Sequence, residues 1–244
     1  MIKLLILTSL LSTGIWSQEI TSEVISDWDE YSREFLQELN LARTQPQKYA
    51  EILETEFLPR LYKGPGEEKE IFVLKFKTDE DQRELVHRKT MNLNEGAAPF
   101  HEALEFLKNQ KALSELGAMP GMNLGALDHV KDMGASGELG HDGNDGSNFK
   151  ERLERYGLVT GISGEVIMAG DYLSPREMVM FLIVDDGVPS RGHRESIFTA
   201  EFRVAGAQCG PHYLYKRLCV ADFAAGYWND LPNQESEESK VKEY

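Results

Sequence analysis

The only two cysteines of the 244-residue chain, Cys209 and Cys219, frame the run Gly-Pro-His-Tyr-Leu-Tyr-Lys-Arg-Leu. Apolar stretches lie on either side, residues 204–208 before it and 219–223 after it, so the segment reads as two strands joined by a turn. An even cysteine count at hairpin spacing favours a disulfide, which for so short a loop adds roughly 2–3 kcal/mol; two free buried thiols are the alternative. A chain that ends this way has to supply an antiparallel sheet, and the residues before it decide what covers that sheet.

What precedes the hairpin is mainly helical. Residues 27–61 place Phe35, Leu36, Leu39, Ala42, Tyr49, Ile52 and Leu53 at helical spacing, and Pro46 splits them into one helix ending near Arg43 and a second beginning around Pro46. Residues 95–111 return to helix, and 123–133 form another after the turn residues Met-Pro-Gly at 119–121. A short helix over 149–156 ends at Gly157, and a strand follows at 164–168. Ser174-Pro175, a cap followed by proline, opens a helix that should stop at Asp186-Gly187. Residues 63–89 are charged and irregular apart from a strand-like 71–77, and read as a connecting loop or small insertion. The order predicts one α+β domain over residues 30–228, with an antiparallel sheet between helices.

The ends and the charge narrow the setting. Met-Ile-Lys is followed by an apolar run through Leu11 and then Ser12, Thr13, Gly14 and Ser17, the pattern of a secretory signal peptide over residues 1–17 with cleavage between Gly14 and Gln18. The run is too short to span a bilayer, and no other segment is long and apolar enough to do so. Export places the cysteines in an oxidising compartment. Residues 229–244 are acidic and too polar to bury anything, so a disordered tail is expected. The formal charge is −15, about −16 without the leader and its Lys3. Such a surface repels nucleic acid and anionic membrane and suits cationic partners.

Of six histidines, His87, His101, His129 and His212 read as solvated or locally bonded side chains. His141 and His193 stand apart because both sit in glycine-bearing loops, Leu-Gly-His-Asp-Gly and Pro-Ser-Arg-Gly-His-Arg, where the backbone can hold a side chain at an unusual angle. Glu165 stands in Ser-Gly-Glu-Val-Ile, between two glycine-containing turns. Spacing alone does not bring these three together.

The motifs do. Glu-Leu-Gly-His-Asp at 138–142, Gly-Ser-Asn-Phe at 146–149, Arg-Leu-Glu-Arg-Tyr-Gly at 152–157, Gly-Ile-Ser-Gly-Glu-Val-Ile at 161–167 and Asp-Asp-Gly-Val-Pro-Ser-Arg-Gly-His-Arg at 185–194 occur in that order. Together they resemble the CAP superfamily, or SCP domain, which groups cysteine-rich secretory proteins, antigen 5 and plant pathogenesis-related proteins; the bacterial-type branch is the most similar. Residues 39–46 and 209–224 are similar to that branch's opening helix and closing strands. The resemblance implies an α-β-α sandwich and a cleft formed by His141, Glu165 and His193. Two imidazoles and a carboxylate make a set for a divalent metal such as zinc, with an open position for water; the alternative is that they hydrogen-bond one another or ordered waters and bind nothing tightly. Two departures stand out: Val166 replaces the asparagine that follows the glutamate in the family pattern, and the second acid has only Asp185 and Asp186 nearby.

Two functions follow as expectations. One is a secreted binding module for a lipid, sterol, peptide or extracellular protein. The other is a secreted metal-assisted hydrolase of peptides or esters. Neither an HExxH helix nor a Gly-x-Ser-x-Gly elbow supports the second, and Ser190 reads as a turn residue. A structural envelope protein on the same fold is a third reading.

Overall fold

The computed structural model describes residues 22–66, 70–80 and 83–230, with side chains described for 29–66, 70–75 and 88–230. The expected signal peptide and nearly all of the expected tail lie outside these residues.

Proline and the capping residues place the helices where their local chemistry demands. Helix α1 (Ser22–Thr44) stops one residue before α2 (Pro46–Ile52), whose first position is the proline that ended its predecessor. A wide turn and a tight turn then carry the chain through Arg60 to the short strand β1 (Leu61–Tyr62). Helix α3 (Ala98–Asn109) and α4 (Pro120–Ser136) also begin at or beside proline. The expected turn at 119–121 is therefore the start of α4 itself, because proline lacks the N–H that a first turn leaves unused. Two capping boxes, Asn148 with Glu151 and Ser174 with Glu177, start α5 (Phe149–Glu154) and α6 (Pro175–Val184). Asp185 ends α6 in the left-handed region, and α7 (Gly192–Ile197) follows the intervening loop.

Within residues 63–89 the described residues form strands rather than a connecting loop. Strand β2 (Ile71–Glu80) pairs with β3 (Arg83–Asn92) as a ten-residue antiparallel hairpin, which β1 extends to a three-stranded sheet. The hairpin is tied into the core through Phe72, which is fully buried with ring centroids 5.1–5.8 Å from Phe57, Phe100 and Phe181. Arg60 adds a second tie, donating to the Val73 carbonyl at 2.8 Å and to Glu177 at 2.5 Å.

The main sheet contains β4 (Gly117–Ala118), β5 (Gly157–Ala169), β6 (Val204–His212) and β7 (Lys216–Asn229) in the order β4-β6-β7-β5. It is antiparallel except at β4, which pairs with β6 in parallel over two residues. Gly157, expected to end a helix, begins β5 instead, opposite Asn229. Cys209 and Cys219 face each other across β6 and β7 and form the disulfide. The strands continue past it, so the turn shrinks to residues 213–215. Buried His212 shapes that turn, its Nδ1 accepting from the backbone N–H of Leu214 and Tyr215 at 3.2 and 3.1 Å.

Alternation along the strands gives the sheet two covered faces. Val166, Met168, Ala205, Ala207, Ala221 and Phe223 face the large core built with α1, α3, α6 and α7. On the other face Val159, Ile167, Val220 and Ala224 pack beneath α4 and α5. Helix α4 lies so close on β6 that a Cβ on Gly206 would collide with the backbone of Met122. The result is the expected α+β sandwich, with the β1-β2-β3 sheet added at its side.

Candidate functional site

Glu165 belongs to the α4/α5 face of the sheet, directly across from Asp222 in the β5–β7 register. An acid on a covered face needs partners, because transferring an unpaired carboxylate out of water is costly. Arg152 of α5 donates from Nη2 to Glu165 Oε2 at 2.7 Å, with both side chains almost entirely buried. His141 Nδ1 lies 2.8 Å from Glu165 Oε1, with its ring more than half exposed. That hydrogen bond raises the His141 pKa above its ordinary 6.5, against the opposing effect of burial. The Arg152 Nη1 also donates to the carbonyls of His141 and Ser147, at 3.1 and 2.8 Å, and so holds the loop as well as the acid.

Three further side chains complete this cluster. His129 is fully buried on α4 and places its Nε2 2.8 Å from the Gly140 carbonyl, anchoring the residue before His141. Burial lowers the His129 pKa, so the ring is neutral and donates to that carbonyl. Asp132 accepts from the backbone and side chain of Asn144, fixing the far end of the loop. Asp222 stands opposite Glu165 in the strand register, and burial together with the charge of Glu165 pushes its pKa well above the carboxylate range. The buried Oδ1 of Asp222, Nδ1 of His129 and Nε of Arg152 have no hydrogen-bond partner among the described residues, which leaves polar capacity for an ordered water.

His193 belongs to a different pair. Its Nδ1 lies 2.7 Å from Asp185 Oδ1, and its backbone N–H donates to Asp185 Oδ2 at 3.0 Å. The turn that brings them together contains two non-glycine residues in the left-handed region, Asp185 and Arg191. Arg191 holds the turn closed, donating from Nη1 to the Asp185 and Val188 carbonyls at 2.9 and 3.0 Å while pairing with Glu95. Asp186 points the other way and accepts from the N–H of Asn94 and Glu95, at 2.7 and 2.8 Å. Asp185 is therefore the acid that pairs with His193, and Asp186 clamps the loop after β3.

Beside His193 is a cavity of about 200 Å3. Ile167 and Met168 of β5 line one side, Met91 and Asn92 of β3 the other, and Phe181 and Leu182 of α6 also line it. His141 and Glu165 are not among the residues that line it. The three residues singled out in the sequence thus form two histidine–carboxylate pairs: His141 with Glu165 on the α4/α5 face, and His193 with Asp185 on the α6/α7 side. Val166 fits this division, since its side chain faces the large core rather than the Glu165 cluster.

The donor set does not suit the divalent metal expected of His141, Glu165 and His193. Glu165 has one oxygen on Arg152 and the other on His141, and a guanidinium 2.7 Å away disfavours a cation. Among the described residues no three His, Cys, Asp or Glu side chains are grouped so as to hold a metal ion. In each pair the carboxylate orients an imidazole through Nδ1 and leaves Nε2 for a ligand.

No protein-family model and no curated protein matches the chain. Solved structures similar to it include an outer surface protein of Borrelia burgdorferi, 16% identical at a TM-score of 0.39 over 46% of this chain and 78% of that one. An extracellular SCP-domain protein of Bacillus anthracis is 16% identical at a TM-score of 0.39, over 67% of this chain and 58% of that one. A cysteine-rich secretory protein of Staphylococcus aureus is 9% identical at a TM-score of 0.36, over 73% and 69%. These neighbours include the SCP and cysteine-rich secretory group that the motifs resemble. At such scores the likeness carries no residue roles, and the site is argued from its own geometry.

The residues missed in the sequence are Arg152, Asp222, His129 and Asp185's partnership with His193. Asp222 had a readable signal, a lone acid inside the apolar run Cys-Val-Ala-Asp-Phe-Ala-Ala.

Proposed function

We propose that the protein is an exported binding module whose ligand seats an apolar group in the cavity beside His193 and Asp185. The observation that carries this reading is the cavity itself, a recess lined by six apolar side chains together with Asn92, Asn94, Asp185, Asp186 and the oriented imidazole of His193. At about 200 Å3 it is smaller than the roughly 300–1,000 Å3 of pockets that enclose a whole drug-sized ligand. It therefore suits one end of a ligand, such as a single leucine-sized side chain of a peptide or extracellular protein, better than an entire sterol. The signal-like leader and the disulfide support export, since disulfides persist in oxidising compartments. No helix among the described residues is long and apolar enough to cross a membrane.

The hydrolase alternative has one feature in its favour, the Asp185–His193 hydrogen bond that would orient a general base. No hydrogen bond joins Ser190 to His193 among the described residues, so a serine nucleophile has no support there; binding is the reading the cavity favours.

The test is titration calorimetry of the folded protein with acetyl-leucine amide, decanoate and cholesterol, repeated on Asn92→Trp, which fills the cavity from its exposed rim. The leucine amide should bind and lose at least tenfold in the variant. Cholesterol binding that the variant leaves intact, or no binding of any probe, would overturn the reading. Zinc added to 100 µM should leave the melting temperature unchanged, as the donor set predicts.

A further inference from the structure

The outer strand of the main sheet separates the two histidine–carboxylate pairs. β5 pairs only with β7, and residues 163–168 have no backbone hydrogen-bond partner on their other side among the described residues. A register shift between Thr160 and Ser163, with Gly161 at φ +73°, ends the regular edge upstream. Downstream, Lys89 of β3 crosses to Asp171 at 2.7 Å and closes the far end. Between these limits the edge is about six residues long.

An unpaired sheet edge is a template for another strand, and natural proteins usually blunt or cover it. Between Ser163 and Met168 no proline or lysine interrupts the edge; Glu165 is an inward-pointing charge already held by Arg152, and β3 stands opposite without pairing to it. Instead the cavity opens there, lined by Ile167 and Met168 of the edge itself. The polar groups that line the gap already hold hydrogen-bond partners. Asp185 is engaged by His193, Asp186 by two backbone amides, and Lys89 by Asp171.

We infer that β5 takes up an extended peptide as an added strand, with one apolar side chain seated in the cavity beside His193 and the neighbouring side chain directed to His141 and Glu165. The inference rests on the cavity reading above and names its ligand class. Strand geometry supplies the link between the two histidines: successive side chains of an extended segment point to opposite faces, and the two pairs lie on opposite faces of β5. Main-chain hydrogen bonds to residues 163–168 provide affinity, and the cavity selects the side chain. The net charge of −15 matches a peptide with cationic ends, through long-range attraction.

The probe is the capped pentapeptide Lys-Val-Leu-Val-Lys, titrated into the intact protein by calorimetry. Two N-methylated versions carry the methyl groups on alternate amides, one set at odd and the other at even positions. In an added strand only alternate amides face β5, so one methylation register should weaken binding at least tenfold and the other should leave it nearly unchanged. Equal binding of all three peptides overturns strand addition while the cavity reading stands on the leucine contact, which Asn92→Trp removes. Equal weakening in both registers likewise overturns it. If the parent peptide fails to bind while acetyl-leucine amide binds, strand addition alone is lost; if neither binds, both readings are.

Discussion

Replacing Arg152 by methionine removes the guanidinium that pairs with Glu165 and keeps the bulk of its stem. Both side chains of the pair are at most 3% exposed, so bulk water does not take over the screening. Breaking a buried pair by removing one partner costs about 3–5 kcal/mol, because it strands the other charge. Two of Arg152's other acceptors, the carbonyls of His141 and Ser147, lie in residues that retain solvent contact, so they add little to the loss. Glu165→Gln in the same background removes the stranded charge and should recover at least 2 kcal/mol of it, since replacing both partners of such a pair is close to neutral. Urea unfolding at pH 7 of the wild type, the two single variants and the double variant gives the coupling directly. A loss below 1 kcal/mol in Arg152→Met, or additive single effects, would refute the claim that this pair organises the His141 loop.

Other outcomes follow from the same geometry. Asp222 has a raised pKa, so its ionisation costs stability as pH rises above its ordinary 3.8; Asp222→Asn should remove that cost and be at least as stable as wild type at pH 8, by urea unfolding. His141 has a raised pKa, so its contribution is fully present below 6.5 and is lost as pH rises through the higher folded value; in Glu165→Gln an NMR titration of the ring should show that pKa fall to 6.5 or lower. Removing the disulfide in Cys209→Ala/Cys219→Ala should cost about 2–3 kcal/mol, and mass measurement of the untreated wild type should find no free thiol.

Where local chemistry decides structure, the sequence was legible. Pro46 between two helices, Ser174-Pro175 at a helix start and the cysteine-bearing hairpin all depend on neighbours within a few residues. The β2–β3 hairpin was half read because β3 carries Arg88, Lys89 and Thr90 exposed in succession, which hides the alternation that marks a half-buried strand. Glu165 and His141 are 24 positions apart, and only the ordered motifs placed them together. The motifs did not distinguish the two faces of β5, since parity along a strand becomes meaningful only once the strand's position in the sheet is known. For the same reason Asp185 could not be assigned: its eight-residue reach to His193 depends on left-handed backbone at Asp185 and Arg191, two residue types that do not announce it.

The central claim is that the ligand site lies at His193 and Asp185, on the edge of β5. A carbon–proton NMR spectrum of the histidine rings, recorded while acetyl-leucine amide is added, tests it most directly. The His193 resonance should shift progressively and saturate, while the buried ring of His129 stays in place. Unmoved His193 with shifts confined to other histidines, or no shift at any ring up to millimolar ligand, would contradict it.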